Sequence, residues 1–299
     1  MDEYEEWRNF SFRLRNGVSE RVLGSRLRPR KASGKAPVFT TSDPGGRLFT
    51  WVETIDCPEL PRDFAERINA EAPEYITRYI TGYLEAGLGG QLFIRPLAKH
   101  RATEEGILGR LGDHREGLTA DAVTSTPGSF EALKIGGLKA RNVEFRGSVA
   151  LEYEVNDYCL CASIGRFSDE QLQGLRSNGN DDIVAFITYD AKKLISAIDD
   201  LAQAGLANGV RQVIAKAVTY DVRDTHLEVP PEYDHEDKRK PFETWLATAF
   251  VKPPGFVHEN EFRILLTDPR APGALPEETE PLFLESPGIR DSIVESGEL

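Results

Sequence analysis

Between Ala249 and Leu266 the chain reads A-F-V-K-P-P-G-F-V-H-E-N-E-F-R-I-L-L, a Pro-Pro-Gly break followed by strand-like alternation. With His258 to Leu266 extended, side chains two apart share a face: Glu259, Glu261 and Arg263 point one way, Phe262, Ile264 and Leu266 the other. Two carboxylates about 7 Å apart on one strand face repel unless water or a cation relieves them, and burial raises the pKa of either. Arg263 is the local cation. The pattern therefore fits a paired-carboxylate site, and it equally fits an edge strand whose ionic face is solvated.

Other candidate groups cluster in two places. Gln91 to Leu97 reads as a core strand with Arg95 on the same face as Phe93 and Leu97, and a buried guanidinium needs a partner. It runs into K-H-R-A-T-E-E-G-I-L-G-R-L-G-D-H-R-E-G, which carries His100, Arg101, Asp113, His114 and Glu116 and is broken by glycines. Charged loops beside a core strand are where sites usually sit. Asp113, His114 and Glu116 are mixed in type and match no standard metal spacing, so no metal is assigned and internal Arg–carboxylate pairs are expected. The compact strand Tyr158 to Ile164 puts Cys159, Cys161 and Ser163 on one face. Ser163 lies at its end, before a helix start at Gly165 to Glu170 whose free N–H groups favour an anion. Alternate cysteines on a strand lie near the upper distance limit for an unstrained disulfide, so buried free thiols are expected.

These groups need elements to hold them. Leu48 to Ile55, Ile183 to Tyr189, Val213 to Tyr220 and Pro281 to Glu285 read as strands, and Asn142 to Leu151 as a hairpin segment. Pro61 to Glu71 reads as a helix with Pro in its first turn. Asp190 caps a helix running to about Ala204 with Leu194, Ile195, Ile198 and Leu201 as its stripe. Further helices are expected over Pro73 to Glu85, Phe242 to Phe250 and Gly288 to Glu298. Gly117 to Gly137 reads as turns and Asp221 to Lys240 as a mobile loop. Residues 1–45 form a basic arm, and 46–299 a single α+β domain.

With 299 residues, 40% of them hydrophobic, the chain can bury a sizeable core. No apolar run reaches the roughly 18 residues that cross a bilayer, and the start Met-Asp-Glu-Tyr-Glu-Glu is unlike a basic leader, so a cytoplasmic protein is expected. A net charge of −13 argues against non-specific binding to nucleic acid or anionic membrane.

The motif order resembles that of a large family of uncharacterised bacterial and phage proteins. That family shows an Arg/acid segment ending in D-x-x-E-G, here Arg101 through Asp113, Glu116 and Gly117, then a strand with C-x-S, here Cys161 and Ser163. A strand–helix unit follows, here Ile183 to Leu201. Last comes K-x-x-x-F-x-x-E-x-E-[FY]-R, here Lys252, Phe256, Glu259, Glu261, Phe262 and Arg263. The resemblance spans about Tyr75 to Arg290. More remotely, the order is similar to that of ADP-ribosyltransferases of the Arg–Ser–Glu type. That resemblance implies a central mixed or antiparallel sheet split around a cleft with flanking helices, and NAD as substrate of a transferase or glycohydrolase; the resemblance to the bacterial and phage family implies a role in bacterial or phage conflict. It implies that Arg95, or alternatively Arg101 or His100, holds a phosphate or ribose hydroxyl, and that Ser163 supports the nicotinamide side. Glu261 would bind the ribose and stabilise its oxocarbenium-like transition state, and Glu259 would face a protein or nucleotide acceptor. Cys161 replaces the first Ser of the transferase pattern, and Arg263 is foreign to it. The competing expectation is a non-catalytic α+β binding module with a structural Glu259–Glu261–Arg263 network and a partner contact in Lys99 to Glu116. A metal-dependent nuclease using Asp113, His114 and Glu116 is a third.

Overall fold

The structure is a computed structural model describing residues 12–13, 22–23, 38–40, 47–54, 59–82, 84–100, 116–125, 129–135, 138–146, 148–205, 211–234, 241–276 and 278–299. Arg101, Asp113, His114, Cys57 and most of the basic arm lie outside the described residues. The fold is mixed α+β, and the chain divides into two compact units. One unit comprises Met1–Glu53, Thr119–Tyr153 and Asp224–Lys240, the other Thr54–Leu118, Glu154–Arg223 and Pro241–Leu299.

The first unit is built on strands where the sequence suggests turns and a loop. Leu118–Ser125 and Asp224–Val229 pair in parallel within one sheet, and Ser129–Ile135, Leu138–Arg146 and Glu232–Asp234 belong to another. Leu118–Ser125 and Asp224–Val229 lie far apart in sequence, so no local pattern records their pairing, whereas Ser129–Ile135 and Leu138–Arg146 pair antiparallel as chain neighbours on either side of Gly136-Gly137, a local hairpin signal. The short strands Phe12–Arg13 and Val22–Leu23 pair with each other, and Arg13 pairs with Thr50 of Arg47–Thr54.

The second unit carries the candidate residues on an eight-stranded sheet. Its main path runs Gln212–Ala217, Glu261–Thr267, Tyr158–Ile164, Tyr75–Ile80, Ala185–Asp190, Ile293–Glu298, with each described pairing antiparallel. The central strand Tyr158–Ile164 is shared. Its start pairs Tyr158 and Cys159 with Pro96 and Arg95, and its end pairs Ser163 and Ile164 with Thr77 and Ile76. The sheet therefore forks beside Leu160, Cys161 and Ala162, and Leu282–Glu285 extends the Gln91–Pro96 branch.

One face of this sheet is the apolar core. Leu160, Ala162, Phe262, Ile264 and Leu266 are buried there, as the alternation requires. Helix Ala191–Gln203 adds Leu194, Ile195 and Ile198, each worth about 1.5–3 kcal/mol of burial. Asp190 caps it as expected, accepting from the Lys193 backbone N–H at 3.1 Å. Two expected helices are instead largely strands. Tyr75–Ile80 is a strand and only Leu84–Leu88 is helical; at the end, Pro287–Asp291 is helical and Ile293–Glu298 is a strand. The first of these runs is rich in Tyr, Ile and Thr, residues that suit a pleated surface, and an i, i+3, i+4 stripe in such a run does not decide the period. Among the described residues no helix is long and apolar enough to cross a membrane.

Candidate functional site

The opposite face of the same sheet gathers the polar groups. Register places Arg263 beside Cys161, Glu261 beside Ser163, and Leu265 beside Cys159, with Arg95 on the other flank of Cys159. Partners across a sheet point to the same side, so Arg95, Ser163 and Glu261 share one face. Arg95 is nevertheless one strand over and four residues along from Ser163, about 13 Å at 3.3 Å per residue. Its guanidinium lies over the Phe93 ring, 5.1 Å from the centroid. Pairing with the Glu261–Thr267 strand brings Ser163 and Glu261 together, and the fork on the other side leaves the Arg95 backbone further along the face.

The Glu261–Thr267 strand is not an edge: Tyr158–Ile164 lies on one side and Gln212–Ala217 on the other. All seven of its residues are buried, ionic ones included. It also begins later than the alternation suggests, because Pro254–Glu259 is a 3-10 helix and Asn260 turns the chain at φ 45°. Asn is among the few residues that accept that left-handed conformation readily. Its side-chain amide donates to Ile164 O at 3.1 Å, and its carbonyl accepts from Ile164 N at 2.7 Å. Glu259 therefore reaches the site from a turn, not from the strand. Asn260→Val should cost about 1–2 kcal/mol in a urea titration, whereas Asn260→Gly should cost less.

The centre is an ion network. Arg263, 0% exposed, donates from Nε to Glu261 Oε1 at 2.7 Å, from Nη1 to Ala249 O at 2.6 Å, and from Nη2 to Glu116 Oε1. Lys252 donates from Nζ to Glu261 Oε2 at 3.0 Å and to Glu259 Oε2 at 2.5 Å, and it packs against the Phe256 ring. The Glu261 backbone N–H donates to Tyr220 Oη at 2.7 Å, and Ser163 Oγ donates to Glu259 O at 2.8 Å. Two cations thus face three carboxylates. Charge taken out of water is tolerated only when paired and hydrogen-bonded on several sides, and Arg263 is held at all three of its nitrogens.

The network pulls its carboxylates apart. Burial works to raise Glu261, but Arg263 and Lys252 overcome it and hold the carboxyl well below the usual range. Glu116 is lowered in the same contest, burial losing to Arg263 and Lys252. Glu259 goes the other way, pushed up to about 7 by burial, with Lys252 resisting and Glu261 adding to the rise. Burial also raises the Tyr220 hydroxyl to about 12. His100 sits close enough to feel Glu116 and Arg263; burial lowers its imidazole, and its Nε2 is sealed from solvent with no hydrogen-bond partner among the described residues.

Compared with known protein families, curated proteins and solved structures, the chain matches none. The assignment of roles therefore rests on these contacts. Of the residues singled out from sequence, Glu259, Glu261 and Ser163 meet in one place, with Glu116 and Lys252 joined to them. The tie between Glu116 and Arg263 was the feature sequence reading missed, since the two are 147 residues apart. A buried acid elsewhere also escaped it. Asp157, 1% exposed, accepts from Trp245 Nε1 at 3.3 Å, and burial pushes its carboxyl up to about 7.

Proposed function

We propose that the chain is an α+β binding module in which Glu116, Arg263, Glu261 and Lys252 form an internal brace. One observation carries this reading: both oxygens of Glu261 are engaged, Oε1 by Arg263 and Oε2 by Lys252, in a residue only 4% exposed. Such a carboxylate keeps its charge but offers no exposed oxygen to a ribose. The brace ends at Glu116, the last residue of the charged segment that begins at Lys99. The Arg, His and acidic residues of that segment suit a polar partner. Glu261→Gln should lower unfolding free energy by about 3–5 kcal/mol in a denaturant titration. A loss under about 1 kcal/mol, the scale of a surface pair, would sink the brace.

The other reading, an ADP-ribosyltransferase-like enzyme that uses NAD, is favoured by Glu259. It is the most exposed carboxylate of the network, with 20% of its side chain open, and with a pKa of about 7 it is poised to take a proton near neutral pH. The forked antiparallel sheet is in keeping with the sequence resemblance. In this reading Glu259 is the reacting carboxylate, activating water or an acceptor, its pKa held high by burial, with the fixed charge of Glu261 adding to the rise. Nicotinamide release from NAD, lost in Glu259→Gln while the unfolding midpoint holds, is its expected result. No release with any acceptor class rejects it.

A further inference from the structure

Beside the ion network lies a second cluster that neither reading uses. Cys159 and Cys161 project from the central strand onto the polar face, at the fork, with Sγ atoms 3.6 Å apart. Both are free thiols; Cys159 is buried and Cys161 partly open. Sγ of Cys161 and carboxylate oxygens of Glu116 and Glu261 all lie within 4.8 Å of one another. We propose that Cys159 and Cys161 chelate a thiophilic divalent cation of the zinc class, with a carboxylate oxygen of Glu116 next to the bound ion.

The spacing is what a tetrahedral ion asks for. With metal–sulfur bonds of about 2.3 Å and a tetrahedral angle, two sulfurs sit about 3.8 Å apart. The thiols are within a few tenths of an ångström of that separation without any movement of the strand. Extended backbone repeats its side-chain direction every second residue, so a Cys-x-Cys strand presents both sulfurs to one side, and the missing lateral neighbour at the fork leaves Cys161 reachable.

Charge does not oppose the exchange. One divalent ion replaces two thiol protons, so the total charge beside Arg263 and Lys252 does not change, and Arg263 keeps both of its carboxylates. Arg263 itself blocks the simpler alternative of a cation held by Glu116 and Glu261 alone, because it already occupies the position between them.

The site is tested with cobalt(II), whose visible bands report tetrahedral sulfur coordination. Titrated into the reduced full chain, it should give one equivalent of such bands, displaced by zinc(II). Cys159→Ser and Cys161→Ser should each weaken binding at least about tenfold, while Cys57→Ser leaves it unchanged. Should either Ser variant fail to fold, alkylation of the native chain read by peptide mass gives the same answer: bound zinc must protect the partly open Cys161 and leave Cys57 as it was. Octahedral cobalt bands, binding that survives loss of either thiol, or protection confined to Cys57 overturns the proposal.

Discussion

Arg263→Met lowers the unfolding free energy by about 3–5 kcal/mol, the scale seen when one partner of a buried ion pair is removed. Methionine fills most of the arginine volume, so the loss is electrostatic: Glu116 and Glu261 stay buried, at 2% and 4% exposure, without their common cation. The Ala249 carbonyl loses its 2.6 Å donor as well. The sign of the pH dependence follows. In the wild type both carboxyls are held below their unfolded values, so their stabilisation is present above the ordinary carboxylate range and is lost as pH falls through the lower folded pKa. Without Arg263, burial is opposed by Lys252 and by the weaker effects of His100 on Glu116 and Cys161 on Glu261, the carboxyls rise, and the variant's deficit shrinks on acidification. Urea titrations across pH measure this. A deficit that stays below about 1 kcal/mol, or one that grows on acidification, rejects the brace.

An uncharged replacement separates the worth of the network from the cost of breaking it. Arg263→Met combined with Glu116→Gln and Glu261→Gln removes the stranded charges, and the combined variant should recover part of the single variant's loss, because an intact buried ionic cluster is often no more stabilising than well-packed neutral groups. The single loss then measures exposed need, and the combined one measures net contribution.

How much of this was written in the sequence depends on range. The alternation Phe262, Ile264, Leu266 against Glu261, Arg263 was legible because a strand's period is local, and so was the Asp190 cap, which needs only three residues. The burial of the ionic face was not legible, because it depends on flanking strands contributed by Tyr158–Ile164 and Gln212–Ala217. The Tyr75–Ile80 run was misread for the same reason: its fate is decided by Ala185–Asp190 and the end of the central strand, both about a hundred residues away. Glu259 was expected to share a strand face and the cation Arg263 with Glu261; Asn260 turns the chain between the two acids, and Glu259 pairs with Lys252 instead.

Asp157→Asn should stabilise the protein at alkaline pH by about 4 kcal/mol and leave it nearly unchanged in acid. The folded carboxyl is pushed up to about 7 against 3.8 in the open chain, because burial outweighs the opposing influence of Thr267, the Gly273 backbone, the Trp245 indole and Arg211. Three pKa units at 1.36 kcal/mol each give the magnitude. Because the folded pKa is the higher one, the folded state holds a proton that the unfolded state has already released between these values. Wild-type stability therefore falls as pH rises from about 4 to about 7 and is level above that, as far as this group is concerned. Asparagine keeps the shape and an acceptor for the Trp245 indole but never ionises. Glu259 titrates near the same pH and with the same sign, so the wild-type curve alone does not isolate Asp157. The difference between the wild-type and variant curves does, since Glu259 is common to both. That difference should open through pH 4 to 7 and stay constant beyond; parallel curves would mean that Asp157 ionises in the folded protein as easily as in water, and that its contact with Trp245 carries no burial cost.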